Sequence, residues 1–207
     1  MITLGVLVSG TGSNLQAILD AVASKRLDAR VAVVVSNVAA AGALARAKAA
    51  GVETVVVDHK AYADRRAFDA AIVEVLRARA VEVVVLAGFM RLLTDVLLGA
   101  FPMRVVNVHP SLLPAFPGVD SQKQALDYGV RVTGCTVHFV DVGTDTGPIV
   151  AQTAVPVEEG DDEASLRQRI LAREHELLPR VLQWMAEGRV SVETVAGGRP
   201  RVRVRGT

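Results

Sequence analysis

The sequence has little cysteine, few aromatic side chains and almost no net charge. Its single cysteine, Cys135, excludes an intramolecular disulfide and a metal site built from several cysteines. A net charge of +1 gives no overall electrostatic reason to bind nucleic acid or a membrane surface. No apolar run approaches the roughly 18 residues of a membrane span, and the N-terminus lacks the basic residues of a signal peptide. We therefore expect a cytoplasmic monomer or homodimer without nucleic-acid or membrane partners.

Short valine-rich runs alternate with amphipathic segments through the first half of the chain. This alternation predicts βαβ units and an α/β fold, in which helices flank a mostly parallel, twisted sheet. The composition agrees, because 51% of the 207 residues are hydrophobic and only 4% are aromatic. We predict strands over residues 3–8, 30–36, 53–57, 81–87 and 104–108, and helices over 14–24, 41–50, 62–79 and 94–100.

The second half of the chain has a different pattern. After a helix over 121–127, two long strand patterns over 131–140 and 149–157 are joined by a turn over 141–148, which predicts an antiparallel C-terminal addition to the sheet. Asp161 and Asp162 are suited to cap a final helix over 163–187. Strands over 190–195 and 201–204 flank a turn over 196–200, and we expect this terminal hairpin to be a solvated edge.

Gly12, Ser13 and Asn14 lie between the first predicted strand and the first predicted helix. Backbone amides of a glycine turn at a helix N-terminus bind anions, and the two polar side chains add donors. The third glycine of a dinucleotide fingerprint is missing, and so is the lysine of a P-loop. The pattern favours a single phosphate, with a tight turn and a good N-cap as the alternative.

Asn107 and His109 stand two residues apart at the end of the fifth predicted strand. Alternation along a strand directs both side chains to the same face, at the carboxyl end where α/β proteins bind ligands. An imidazole can carry a proton and an amide can stabilise an oxyanion. Alternatively, the histidine fixes the loop that follows, which contains Pro110, Pro114 and Pro117.

A turn with two aspartates follows the next long strand. If it folds towards the fifth strand, Asp145 meets His109 and raises the pKa of the imidazole. Asp141 is better explained as a turn residue, and His138 either as an ordinary buried histidine or as a support for the pair. The histidines lack the spacing of zinc motifs, so we expect no metal.

Four stretches resemble the folate-dependent formyltransferases. They are V-S-G-T-G-S-N-L at 8–15, L-A-G-F-M-R-L-L at 86–93, V-V-N-V-H-P-S-L-L-P at 105–114 and G-C-T-V-H-F-V-D-V-G-T-D-T-G-P-I at 134–149. The resemblance extends from residue 3 to residue 184. It implies the Rossmann-like fold of that family and a single domain over 1–207, with a phosphate-binding half over 1–100, a catalytic and folate-binding half over 101–187 and a terminal hairpin over 188–207.

The resemblance also implies a reaction between small molecules. The first and second stretches are similar to those members that transfer the formyl group of 10-formyltetrahydrofolate, a co-substrate, to the amine of 5′-phosphoribosylglycinamide. The products are N-formyl-glycinamide ribonucleotide and tetrahydrofolate, in de novo purine (IMP) biosynthesis. Asn107, His109 and Asp145 fall on the catalytic positions of that family.

Further site residues follow from the same resemblance. The phosphoribosylglycinamide site would include Gly12, Ser13, Asn14, Pro110 and Glu174, and the folate site Arg65, Met90, Arg91, Leu92 and Leu93, together with Asn107 and Asp145. The peptide bond before Pro114 is a candidate cis bond. Leu171 and Asp120 replace a glutamine and a histidine of some relatives, so we carry no phosphate contact to position 171.

Three alternative functions each predict a feature that the sequence can be checked for. Methionyl-tRNA formyltransferase shares the catalytic residues but would need a C-terminal tRNA-binding domain, whereas this chain stops shortly after its last predicted helix. Formyltetrahydrofolate deformylase would carry an additional N-terminal domain, whereas the first strand starts at Thr3. A phosphate-binding module without catalysis would leave the set of Asn107, His109 and Asp145 unexplained.

Overall fold

Residues 1–193 and 197–206 are described by a computed structural model of the protein. Contacts divide the chain into two units, Met1–Asn107 and Val108–Thr207. The elements of the first unit are β1 (Ile2–Val8), α1 (Ser13–Ala23), β2 (Ala29–Ser36), α2 (Gly42–Ala49), β3 (Thr54–Val56), a 3₁₀ turn (His59–Ala61), α3 (Arg65–Arg77), β4 (Val83–Leu86), α4 (Asp95–Ala100) and β5 (Val105–His109), whose last two residues belong to the second unit.

The strands of the first unit form a parallel sheet in the order β3-β2-β1-β4-β5. Valines and leucines of the central strands are fully buried, as expected for strands covered on both faces. Leu15 and Ile18 of α1 and Ile72 and Leu76 of α3 supply the helical side of this core. The alternation of apolar strands and amphipathic helices therefore predicted the layers of this unit correctly.

The helix predicted over 62–79 begins later than expected. The structure has a 3₁₀ turn at His59–Ala61 and then starts α3 at Arg65. Asp64 caps α3, because its carboxylate accepts a hydrogen bond from the backbone N–H of Ala67 at 2.8 Å. The cap residue has extended backbone dihedrals, so the helix cannot run through it.

The second unit combines an antiparallel strand pair with a long helix. Its further elements are α5 (Ser121–Tyr128), β6 (Val132–Phe139), β7 (Ile149–Pro156), α6 (Glu163–Ala186), β8 (Val190–Glu193) and β9 (Arg201–Val204). β6 and β7 pair antiparallel, and α6 packs against both strands. Asp162 caps α6 through a capping box with Ser165, as predicted. Leu166, Ile170 and Leu177 of α6 are fully buried.

Among the described residues, the strands form a mostly parallel seven-stranded sheet flanked by helices and a small separate sheet of β8 and β9. This confirms the predicted fold class, including the antiparallel addition. β8 and β9 pair antiparallel as predicted, although residues 194–196 of the proposed strand and turn lie outside the described residues. Within the described ranges, no helix combines the length and the apolarity needed to cross a bilayer.

Candidate active site

The glycine turn between β1 and α1 is formed by backbone geometry that only glycine adopts without strain. Gly12 has φ 79° and ψ 30°, in the left-handed region, and it is the N-cap of α1. A Cβ at this position would lie 2.6 Å from the Cα of Ala43, so the first turn of α2 packs directly on the glycine. Conformation and space therefore both require Gly12.

The same turn has the electrostatic character of an anion site. The first turn of α1 contains no acidic residue, and in the described part of the chain no side chain caps it. Arg46 of α2 donates from Nε to the carbonyl oxygen of Thr11 at 2.9 Å, which places a guanidinium beside the turn. Ser13 is half-buried and Asn14 is buried. Sequence analysis missed Arg46, because nothing in the order of residues connects α2 with this turn.

Two residues predicted to contact folate line one pocket in the first unit. Arg65 and Arg91 share a cavity of about 200 Å³ with two aromatic rings, Tyr62 and Phe68. The remaining lining residues are His59, Ala63 and Asp64. Two guanidinium groups beside aromatic faces suit a ligand that has both a carboxylate and a flat ring. The cavity is smaller than a typical ligand pocket, so it would accommodate only part of such a molecule.

Three further predicted folate residues, Met90, Leu92 and Leu93, lie in the irregular segment 88–93. Met90 and Leu92 are 70% and 56% exposed, whereas Leu93 is buried. The backbone N–H of Met90 donates to Oγ of Ser9 at 2.9 Å, and that hydroxyl donates to Oδ1 of Asn37 at 2.6 Å. Ser9 therefore ties this segment to the end of β1. Ser9 and Asn37 were not predicted as site residues, although each directly follows the carboxyl end of a parallel strand.

In the second unit, the structure brings His109 and Asp145 together as predicted. Nδ1 of His109 lies 3.3 Å from Oδ2 of Asp145, and Nε2 lies 2.8 Å from the carbonyl oxygen of Phe116. A carbonyl only accepts, so Nε2 carries a proton and donates it to Phe116. The second ring nitrogen faces a carboxylate, so the geometry provides partners for protons on both nitrogens.

Burial nevertheless lowers the pKa of His109, which is only 4% exposed. The carbonyl of Phe116 and the charge of Asp145 oppose this effect without overcoming it. Asp145 acts on the pKa of His109 in the expected upward direction, but the net shift of that pKa is downward. Its cause is the depth of the imidazole, which depends on tertiary packing and is not visible in the motif.

His138 supports Asp145 from the opposite side. Its Nε2 lies 3.6 Å from Oδ1 of Asp145, while Nδ1 is 2.9 Å from the carbonyl oxygen of Phe139. Burial by itself would raise the pKa of Asp145, but the adjacent imidazole of His138, the hydrogen bond from the backbone N–H of Gly118 and the imidazole of His109 lower it below the ordinary value. The approach of Nε2 to Asp145 favours the supporting role of His138 over that of an ordinary buried histidine.

Asp141 is a turn residue, as expected. One of its oxygens, Oδ1, accepts from the backbone N–H of Gly143 at 3.1 Å and from Oγ1 of Thr146 at 2.7 Å. These bonds close the turn between β6 and β7. Gly147 packs too closely for any side chain, because a Cβ there would lie 1.8 Å from the carbonyl oxygen of Phe139. The turn therefore presents Asp145 from a rigid support.

A buried hydroxyl holds the proline-rich loop that follows His109. Oγ1 of Thr136 donates to the carbonyl oxygen of Ser111 at 2.7 Å and accepts from the backbone N–H of Leu113 at 3.1 Å and from Nε2 of Gln152 at 2.9 Å. The Leu113–Pro114 peptide in this loop is cis, which confirms the prediction. Sequence analysis missed Thr136, but its two-residue spacing from His138 on β6 was an available signal.

The loops around His109 contain unusual backbone conformations. In the described part of the second unit, the non-glycine residues with positive φ are Phe116 at 54°, Asp120 at 55° and Asp145 at 54°. All three lie in the proline-rich loop or in the turn that presents Asp145. For a bulky residue such as Phe116 this conformation is a true outlier, whereas aspartate tolerates it better.

The remaining predicted residues occupy separate positions. Asn107 lies on β5 two residues before His109, which directs both side chains to the same face of that strand. The carbonyl of Pro110 accepts from Oγ of Ser121 at 3.0 Å, and Glu174 is buried on α6. Burial and the charge of Glu174 raise the pKa of Cys135 to about 12, which disfavours the reactive thiolate form. The described residues contain no cluster of three histidine, cysteine or acidic side chains that could hold a metal ion.

A histidine–carboxylate pair at the end of a strand in an α/β sheet is suited to acid–base chemistry on a ligand bound at that end. The family model described as formyl transferase matches residues 3–182 of this chain. The chain therefore belongs to the formyl transferase family.

Individual relatives agree with this assignment. The chain is 44% identical to phosphoribosylglycinamide formyltransferase of Bacillus subtilis, over 86% of this chain and 91% of that protein. It is 46% identical to the trifunctional purine biosynthetic protein adenosine-3 of Bos taurus, over 90% of this chain but only 18% of that protein. Glycinamide ribonucleotide transformylase 1 from Symbiobacterium toebii superposes with a TM-score of 0.95 at 55% identity, covering 99% of this chain and 94% of that structure.

Proposed function

We propose that the protein transfers a formyl group from 10-formyltetrahydrofolate to the amine of 5′-phosphoribosylglycinamide. The observation that carries this proposal is the His109–Asp145 pair at the end of β5, 3.3 Å apart, in a member of the formyl transferase family. Relatives that this chain covers almost completely are named for this reaction. The products would be N-formyl-glycinamide ribonucleotide and tetrahydrofolate.

The residues of the second unit suit the proton movements of formyl transfer. Attack of an amine on the formyl carbon places negative charge on the formyl oxygen, and His109 would stabilise it with the proton on Nε2. Asp145 would favour the charged imidazolium during this step, although burial favours the neutral form in the resting protein. His109 would then pass a proton to the departing nitrogen and accept the one that the amine releases.

This mechanism requires an exchange of hydrogen-bond partners at His109. In the resting protein the Nε2 proton is held by the carbonyl of Phe116 at 2.8 Å. To donate to a formyl oxygen, the imidazole would release Phe116 while keeping Asp145 on Nδ1. Asn107, on the same face of β5, would add a second donor from its amide nitrogen.

Substrate binding is assigned to the features described above. The amides and side chains of Gly12, Ser13 and Asn14 would hold the phosphate at the N-terminus of α1. Arg65 and Arg91 would hold an acidic part of the folate, beside the rings of their shared pocket. Segment 90–93 would contribute the remaining folate contacts. Pro110 and Glu174 stay assigned to the phosphoribosylglycinamide site.

The test is formyl transfer by the purified protein with 10-formyltetrahydrofolate and phosphoribosylglycinamide, followed by folate absorbance. Wild-type protein should turn over, and a folded His109→Ala variant should lose at least about a hundredfold in kcat. Release of formate from the folate without the amine would instead indicate a deformylase. Phosphate-ligand binding without any reaction would indicate a binding module, and either result would refute the proposal.

A further inference from the structure

Asp69 on α3 is a fully buried carboxylate that none of the assigned roles uses. It is 0% exposed, and one oxygen, Oδ2, accepts two hydrogen bonds from Thr94, from the backbone N–H at 2.6 Å and from Oγ1 at 2.7 Å. The other oxygen, Oδ1, has no hydrogen-bond partner among the described residues. An ionisable group with an unpaired oxygen is costly to bury, so its retention needs an explanation.

Thr94 is the point where segment 88–93 ends and α4 begins. Its hydroxyl accepts from the backbone N–H of Val96 at 3.3 Å, so the same side chain caps α4 and donates to Asp69. A cap alone needs no buried carboxylate, because a threonine hydroxyl already fulfils that role. The two bonds to Asp69 therefore add a tether between α3 and the end of the segment.

The same face of α3 contacts the segment a second time. Phe68 stacks on Phe89 with ring centroids 6.4 Å apart and planes inclined by 9°. Arg65, Phe68 and Asp69 stand at positions i, i+3 and i+4 of the helix, which share one face. This face thus carries one pocket arginine, a ring that lines the pocket and the tether.

We propose that Asp69 is a positioning residue for folate binding. Its two hydrogen bonds from Thr94 hold segment 88–93 in a fixed position relative to Arg65. The inference rests on the proposed function, because folate contacts of Arg65 and segment 90–93 are part of it. Ser9 anchors the start of the segment through Met90, and Asp69 anchors its end. Between the anchors, Met90 and Leu92 stay exposed and available to a ligand.

Steady-state kinetics of four variants test the tether. Asp69→Asn removes the charge that strengthens both hydrogen bonds, so the KM for 10-formyltetrahydrofolate should rise about fivefold to tenfold. The kcat and the KM for phosphoribosylglycinamide should stay within about twofold, because neither reacting group is moved. Thr94→Val should give a smaller rise in the same KM. Thr94→Ser keeps the hydroxyl, so its KM for 10-formyltetrahydrofolate should equal that of the wild type. Glu74→Gln is the matched control, since it neutralises an exposed carboxylate on the opposite side of α3 and should change nothing.

Amide hydrogen exchange gives a readout that is independent of turnover. Exchange over residues 89–94 should accelerate in Asp69→Asn and in Thr94→Val, but not in Thr94→Ser or Glu74→Gln. Unchanged exchange, or an unchanged folate KM in folded Asp69→Asn, would overturn the inference. The inference would also be overturned if both KM values rose and kcat fell by similar factors, because that result indicates a general disturbance of the fold.

The two Thr94 variants keep the test decisive if Asp69→Asn does not fold, because they leave the carboxylate in place. A calorimetric titration of wild-type protein with tetrahydrofolate separates this inference from the proposed function. If wild type fails to bind, the proposed function and the role of Asp69 both fall. If wild type binds and turns over but the variants show no change in folate KM, only the role of Asp69 falls.

Discussion

Replacing threonine at two positions of β6 should lower stability at one position and not at the other. Thr136 and Thr133 are both buried, and both lie three residues apart on one strand. The hydroxyl of Thr136 makes three hydrogen bonds, whereas the hydroxyl of Thr133 has no partner among the described residues. Valine has nearly the same shape as threonine, so Thr→Val isolates the contribution of the hydroxyl.

The magnitude for Thr136→Val follows from the groups left behind. The N–H of Leu113 and the carbonyl of Ser111 lose a partner in a buried environment, at a cost of about 1–3 kcal/mol each. The added methyl group returns about 0.8 kcal/mol, so the free energy of unfolding should fall by about 1–5 kcal/mol. In contrast, Thr133→Val removes an unsatisfied hydroxyl and should leave stability unchanged or raise it by up to about 1–2 kcal/mol.

Urea unfolding followed by the fluorescence of Trp184 measures both variants. Trp184 is the single tryptophan, and it lies on α6, which packs against β6. With a slope of about 2 kcal/mol per molar urea, the midpoint of Thr136→Val should fall by about 0.5–2.5 M. A drop below about 0.5 M, or an equal loss in Thr133→Val, would refute the reasoning that the three hydrogen bonds hold the proline-rich loop.

Three further predictions concern the site itself. Asp145→Asn should keep the fold and lose most of its turnover, and a rate within threefold of wild type would remove Asp145 from the mechanism. The double variant Ser13→Ala, Asn14→Ala should raise the KM for phosphoribosylglycinamide about tenfold without changing that for the folate, and an unchanged KM would leave the turn without a ligand. His109 has a lowered pKa in the folded state, so the unfolded chain binds its proton more readily and the free energy of unfolding should decrease as pH falls below 6.5. His109→Gln should flatten that decrease below about pH 6.5 in denaturant titrations, and an identical slope would contradict the direction of the shift.

The sequence predicted the fold well, because the signals for it are local. Valine-rich runs alternating with amphipathic segments marked every strand and helix of the first unit, and the capping aspartate of α6 was visible as a motif. Helix starts were less certain, since Asp64 and not the apolar pattern decides where α3 begins. The meeting of His109 and Asp145 was predicted through the resemblance and is present in the structure.

What could not be predicted depends on burial and on backbone atoms. The pKa of His109 moves opposite to the expectation because desolvation exceeds the effect of Asp145, and desolvation is a property of the packed fold. The carbonyl of Phe116, the nearest partner of His109, has no signature in the side-chain sequence. Thr136 and Asp69 act through partners more than twenty residues away, so residue type alone did not distinguish them from ordinary buried groups.

The left-handed conformations of Phe116, Asp120 and Asp145 have a consequence for protein engineering. Each position would be relieved of strain by glycine, so selection for thermal tolerance alone should enrich glycine there, mainly at Phe116. Such variants would exchange a defined loop geometry for a higher melting temperature. The loss of turnover for each degree of increase in melting temperature would then show how much of the backbone strain contributes to catalysis and how much has no role in it.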